Sequence, residues 1–177
     1  MEEKVNIWKA NLTNGLILAL AGVAFSLVMY VFDLTLNKTA GYINVPIQLI
    51  LLYFLLKSYR DNSMHGQITY GQSVGAGVVI FVYASIIMAI YTYLLYTVID
   101  PGLISKQMAM TEELMTKKGA PQAAIDTSMA FTAKIMKPAI IASISIISTV
   151  FFGLIYSLLV SIFIKKEGNP LIDVPVN

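Results

Sequence analysis

Histidine, cysteine and paired carboxylates carry most proton transfer, metal binding and nucleophilic attack in proteins. This chain has one histidine, His65, and no cysteine. A zinc or haem centre of ordinary type is therefore not expected. One histidine gives no basis for a serine triad, and His65 stands in a short polar loop between apolar runs. It is read as an exposed loop residue rather than a catalytic base. The ten acidic residues are Glu2, Glu3, Asp33, Asp61, Asp100, Glu112, Glu113, Asp126, Glu167 and Asp173. All fall in tails, in loops or at the ends of apolar runs, and no two are placed as an acid–base pair about a pocket. A proton path through the apolar runs has no ionisable stepping stone. The stretch from Gly71 through Gly75 to Gly77 has the look of a phosphate loop, but no Lys-Ser/Thr follows it and no strand precedes it. Close helix packing accounts for it better. Gln48 is the most polar side chain well inside a span, and Tyr53, Tyr83 and Tyr91 also lie within the apolar runs. Gln48 is expected to bond across helices; the four together are the candidate lining of a small cavity. Asp33 is read as a boundary carboxylate rather than a ligand. No catalytic residue, cofactor or metal ligand is expected, and the chain is not expected to be an enzyme.

The elements that carry these residues follow from composition. Of 177 residues, 57% are hydrophobic and 12% charged, about half the charged share of a soluble domain. Mean hydropathy is +0.74. So apolar a chain is not disordered, and without cysteine it is not a disulfide scaffold. A net charge of +2 with no basic stripe argues against nucleic acid as a partner. The lipid bilayer is the expected surrounding. A hydrocarbon core about 30 Å thick needs roughly 20 apolar helical residues. Four runs qualify as spans: 12–36, 41–57, 74–99 and 138–164. The second is short, so it must thin the bilayer or snorkel Lys57, Tyr59 and Arg60. The runs lack period-2 alternation and are too long for barrel strands; helices satisfy their own backbone groups in lipid. The expected class is thus all-α, a polytopic membrane protein forming a single four-span domain. The first run is expected to be a span, not a cleaved leader, since Met1-Glu2-Glu3-Lys4 is not clearly positive.

Four spans place both ends of the chain on one side. That side carries Lys4, Lys9, Lys57, Arg60, Lys165 and Lys166; the other carries Lys38, Lys106, Lys117, Lys118, Lys134 and Lys137. The raw totals balance. Lys117 and Lys118 lie mid-loop, where charge bias weakens, and discounting them puts the termini on the cytoplasmic side.

Residues 100–137 form the long connection, read as an amphipathic helical hairpin outside the membrane. Asp100-Pro101 reads as an N-cap and first-turn proline. Glu113 and Lys117 stand four apart in the favourable order. Gly119 reads as a stop and Pro121 as a restart. Ile125, Met129, Thr132 and Met136 form one stripe of the second helix, which is expected to run into the fourth span at Lys137-Pro138. Pro138 is then a first-turn residue or a kink. The preferred role of the hairpin is to cap the bundle and rest on the membrane surface. The other role is a partner surface built on Met108, Met110, Met115, Met129 and Met136.

Small residues mark helix contacts in lipid. The fourth run carries Ser145, Thr149, Gly153, Ser157 and Ser161, every fourth residue. The first carries Gly15, Ala19, Gly22 and Ser26 in a coiled-coil-like seam. The seam is read as contact within one bundle. For the ridge, a neighbouring helix of the same chain and a second copy both remain open.

Five short stretches then occur in order: Tyr59-Arg60-Asp61, Ile68-Thr69-Tyr70-Gly71-Gln72, Ile99-Asp100-Pro101, Phe151-Phe152-Gly153-Leu154-Ile155 and Phe163-Ile164-Lys165-Lys166-Glu167. With the Met-rich connection between the third and fourth runs, this resembles the domain of unknown function 4199 family of small four-helix membrane proteins, over 5–167. The resemblance implies a bacterial inner-membrane protein. It implies no catalytic or binding residues, because no activity is attached to the family. The expected role is therefore a structural or accessory membrane component, associating with itself or another membrane protein through the ridge and the hairpin. A small oligomeric transporter or channel is the alternative.

Overall fold

A computed structural model describes residues 5–167. Glu2, Glu3, Lys4 and Asp173, named above, lie outside the described residues. Seven helices follow in order: α1 (Ile7–Val31), α2 (Lys38–Gly41), α3 (Asn44–Ser63), α4 (Tyr70–Leu94), α5 (Leu103–Lys117), α6 (Gln122–Ile135) and α7 (Pro138–Ile164). A π-helical turn, Leu95–Ile99, extends α4. There is no named strand among the described residues. Four segments are long and apolar enough to cross a membrane: Ile7–Val31, Thr39–Ser63, Tyr70–Ile99 and Pro138–Ile164. The chain is an all-helical protein of multi-pass type. It divides into two compact units, one of Met1–Ser85 with Ser148–Asn177, the other of Ile86–Ile147.

In the first unit, α1 begins five residues earlier than the apolar run predicts. Asn6 caps it, its side-chain oxygen accepting from the backbone N–H of Trp8 at 3.0 Å and of Lys9 at 3.2 Å. Hydropathy missed this turn because Lys9 and Asn11 interrupt the apolar window. The helix also stops early. Asp33 adopts φ +54. The N–H of Asp33 donates to the Tyr30 carbonyl at 3.0 Å, and that of Leu34 to Met29 at 2.7 Å. This is a Schellman turn with aspartate where glycine is usual.

The short second span expected from hydropathy is corrected to the 25-residue segment Thr39–Ser63. Helical hydrogen bonding does not end where charge begins, so Lys57, Tyr59 and Arg60 ride on the last turns of α3. No thinning of the bilayer is needed. α3 packs on α1, and Leu52, Leu55, Leu56 and Tyr59 of α3 and Leu18 and Ala19 of α1 are buried in the core of the unit. At the start of α4, Thr69 and Gln72 form a reciprocal capping box. The Thr69 N–H donates to Gln72 Oε1 at 2.9 Å, and the Gln72 N–H to Thr69 Oγ1 at 3.3 Å. Exposed side chains such as Leu20, Phe54, Phe151 and Phe163 cover the outside of the unit, a surface suited to lipid.

In the second unit, α5 and α6 pack on each other. Their inward residues include Leu103 and Ile125, both buried. The N-cap expected at Asp100 is not formed: α5 starts at Leu103 behind Gly102, which gives no side-chain cap. The Asp100 carboxylate instead pairs with Lys106 Nζ at 3.0 Å. Gly119 ends α5 at φ +74, with its N–H donating to Thr116 and that of Ala120 to Met115, a second Schellman turn. The expected continuity of α6 with the fourth span is also corrected. α6 ends at Ile135, and Pro138 opens α7 in its first turn, where a missing N–H costs nothing.

Candidate functional site

The small residues of α7 meet α4 within the first unit. Ser161 Oγ donates to Ser73 Oγ at 2.8 Å, and both side chains are fully buried. One turn on, a Cβ added at Gly77 would lie 2.7 Å from Ser157 Cβ. One turn further, a Cβ at Gly153 would lie 2.5 Å from Phe81 Cβ. The ladder Ser73, Gly77, Phe81 therefore runs antiparallel to Ser161, Ser157, Gly153, each step facing one step. Ser157 Oγ donates to the Gly153 carbonyl at 2.6 Å, so the hydroxyl is satisfied without leaving the ridge. Three of the five ridge residues are thus covered by α4 and are closed to a second copy. Thr149, the next step, is half-buried; Ser145 belongs to the second unit and donates to the Ala142 carbonyl at 2.7 Å.

The seam of α1 is used on the same helix α4. A Cβ at Gly15 would overlap Tyr83 Cβ and approach the Ile80 carbonyl to 3.1 Å. Ala19 is buried, while Gly22 and Ser26 are half-buried. Sequence reasoning missed Asn11, one step before Gly15 on the same face and fully buried. Its Nδ2 donates to the Ile7 carbonyl at 3.0 Å, and its Oδ1 accepts from Asn14 Nδ2 at 3.0 Å. Its spacing of four from Gly15 was the available signal.

The aromatic and amide candidates are dispersed. Tyr83 packs over Gly15 and meets Trp8 edge-on with ring centroids 5.8 Å apart. Tyr53 meets its neighbour Phe54 edge-on at 5.6 Å. Gln48 is half-buried on α3; Tyr91 is buried in the second unit. No metal-holding group of three His, Asp or Glu occurs among the described residues.

A second constellation lies where α3, the loop into α4 and the end of α7 converge. Arg60 Nη1 donates to the Ile164 carbonyl at 3.1 Å, satisfying an acceptor that the end of a helix leaves open. Arg60 Nε also pairs with Asp61 at 2.8 Å. Ile68 and Lys166 form an antiparallel bridge, each N–H donating to the other's carbonyl at 2.9 Å. The Tyr70 hydroxyl donates to the Leu158 carbonyl at 3.1 Å. His65, at φ +51, is an exposed member of the loop. Three of the five stretches singled out in the sequence, at 59–61, 68–72 and 163–167, meet in this clasp. Its chemistry is mechanical: donors from α3 and α4 hold the carbonyls of α7.

In the second unit, Gln107 Nε2 donates to the Tyr96 hydroxyl at 2.8 Å, and Lys117 pairs with Glu113 one turn earlier. Of the five methionines in the connection 100–137, Met110 is exposed, while Met108, Met115, Met129 and Met136 are half-buried. Leu114, Phe131 and Ile135 supply the other large exposed apolar groups of α5 and α6.

No curated protein and no solved structure matches the chain. A family model, described as protein of unknown function (DUF4199), matches residues 13–166 and so takes in the ridge, the α1 seam from Gly15 onward and the whole clasp to Lys166. The chain belongs to the DUF4199 family.

Proposed function

We propose that this chain is a non-enzymatic membrane component with a structural or accessory role, presenting α5 and α6 to a second copy or to another membrane protein. One observation carries the reading. The polar and small residues inside the first unit are used on each other, as Ser73 with Ser161, Gly77 with Ser157 and Arg60 with the Ile164 carbonyl. Groups that a membrane enzyme would hold ready for substrate serve here as helix contacts. Association through the α7 ridge is given up, because α4 occupies Gly153, Ser157 and Ser161. That leaves the exposed Leu114 and Phe131 of α5 and α6 as the surface for a partner. The membrane is read as the bacterial inner membrane with both termini cytoplasmic, on the family resemblance and the lysine balance.

A photo-crosslinking residue at Phe131 or Leu114, expressed in native membranes, tests this. A discrete adduct larger than the monomer is expected from those positions, and none from Ser157. A chain that stays monomeric from all three positions overturns the reading.

A further inference from the structure

Two exposed stripes of the first unit end in lysine. On α3, Ile50 and Phe54, each 59% exposed, lead to Lys57 one turn later. On α7, Leu159 and Phe163, 49% and 75% exposed, lead to Lys166 just past the helix end. Both lysines are exposed, and both act electrostatically on the same carboxylate, Asp61. Arg60, one turn after Lys57, reaches the carbonyl of Ile164, two residues before Lys166, so both lysines belong to the place where the ends of α3 and α7 meet. Asp61 already has its counter-ion, because Arg60 Nε donates to it at 2.8 Å. Arg60 is in turn held by the Ile164 carbonyl, and Lys166 by its bridge to Ile68. Lys57 and Lys166 have no carboxylate at ion-pair distance among the described residues.

Two exposed cations without an ion pair of their own, at the heads of two apolar stripes, have the charge order of one kind of molecule. We propose that this end of α3 and α7 binds an anionic phospholipid, with its phosphate between Lys57 and Lys166 and its acyl chains along Phe54 and Phe163. Each ammonium is expected to strengthen binding of an anionic headgroup by about five-fold, and the two together by roughly thirty-fold. The clasp then has a second consequence: by holding the ends of α3 and α7 together, it sets the distance between the two cations.

The test uses the purified full-length chain in detergent, with phosphatidylglycerol or phosphatidylcholine of matched acyl chains added, and native mass spectrometry to read bound lipid. Retention of phosphatidylglycerol over phosphatidylcholine is expected, falling roughly thirty-fold in Lys57→Gln/Lys166→Gln. Lys57→Arg/Lys166→Arg keeps the charge and is expected to keep the preference, which separates binding from folding. Lys117→Gln/Lys118→Gln, on α5 and the turn after it, is expected to change nothing. Equal retention of the two lipids overturns the proposal, as does an equal loss in the Lys117/Lys118 variant. Inorganic phosphate at millimolar concentration is the third arm. Displacement of phosphatidylglycerol by phosphate alone would mark a free-anion site and refute a lipid site.

Discussion

Replacing Gly153 by alanine tests the α4–α7 ladder most directly. The new Cβ would stand 2.5 Å from Cβ and 2.7 Å from Cδ2 of Phe81, whereas carbon atoms rest about 3.5–4.0 Å apart. Relief needs a displacement of about 1 Å. Rotating the Phe81 ring does not supply it, because Phe81 Cβ is bonded directly to the backbone of α4. The helices must separate. Overpacking of this kind costs about 1–3 kcal/mol. The Ser161–Ser73 hydrogen bond, 2.8 Å long and two turns away on the same ladder, would stretch beyond hydrogen-bond range and add about 0.6 kcal/mol. The expected total is about 2–3 kcal/mol of destabilisation. Gly71→Ala is the matched control. Gly71 lies in the first turn of α4, the helix that carries Phe81, with nothing within 4 Å of an added Cβ, so alanine there is expected to stabilise by about 0.4–1 kcal/mol by restricting the unfolded chain. Unfolding of the full chain in mixed micelles, titrated with denaturing detergent, reads both. If Gly153→Ala unfolds at the wild-type midpoint, or if the two substitutions shift it in the same direction, the ladder does not hold α4 to α7.

Three further outcomes are expected. A double-mutant cycle of Ser73→Ala and Ser161→Ala should give a coupling of about 0.6 kcal/mol, and not above about 1.7, read in the same unfolding titration; additive single effects would deny the hydrogen bond. Asp33→Gly should raise stability by about 1 kcal/mol, because glycine takes the positive φ without strain and removes a carboxylate from the negative end of α1; a loss on substitution would show that the aspartate has another task. The Lys117 ammonium donates to Glu113 and lies beside it, holding that carboxyl below the usual glutamate range. Its folded pKa is therefore depressed, so the stability from this pair is present above the unfolded glutamate pKa and lost as pH falls through the folded one. NMR titration of Glu113 in the full chain should show the depressed midpoint and its return in Lys117→Gln; an identical midpoint in both proteins would rule out the pair.

Hydropathy located four spans because burial of about 20 apolar residues in lipid leaves a signal that needs no neighbour. It misplaced their ends because ends are set by hydrogen bonds. Asn6 starts α1 inside a polar stretch, and Asp33 stops it inside an apolar one. Gly119 announced its turn in sequence because only glycine takes positive φ freely; Asp33 gave no such sign, since aspartate seldom fills that role.

Small residues at every fourth position were legible as contact surfaces, for the period of a helix puts them on one face. What they contact was not legible. Gly153, Ser157 and Ser161 suit an intramolecular neighbour and a second copy equally well, and only the antiparallel fit of α4, with Ser73, Gly77 and Phe81 in step, decides between them. The clasp is of the same kind. Arg60, Ile68 and Tyr70 stand far along the chain from their partners Ile164, Lys166 and Leu158, and these bonds exist only once α3, α4 and α7 are folded side by side. Composition chose lipid as the solvent and the helix as the element; pairing, register and the meeting of distant polar groups are long-range properties that no local window of residues contains.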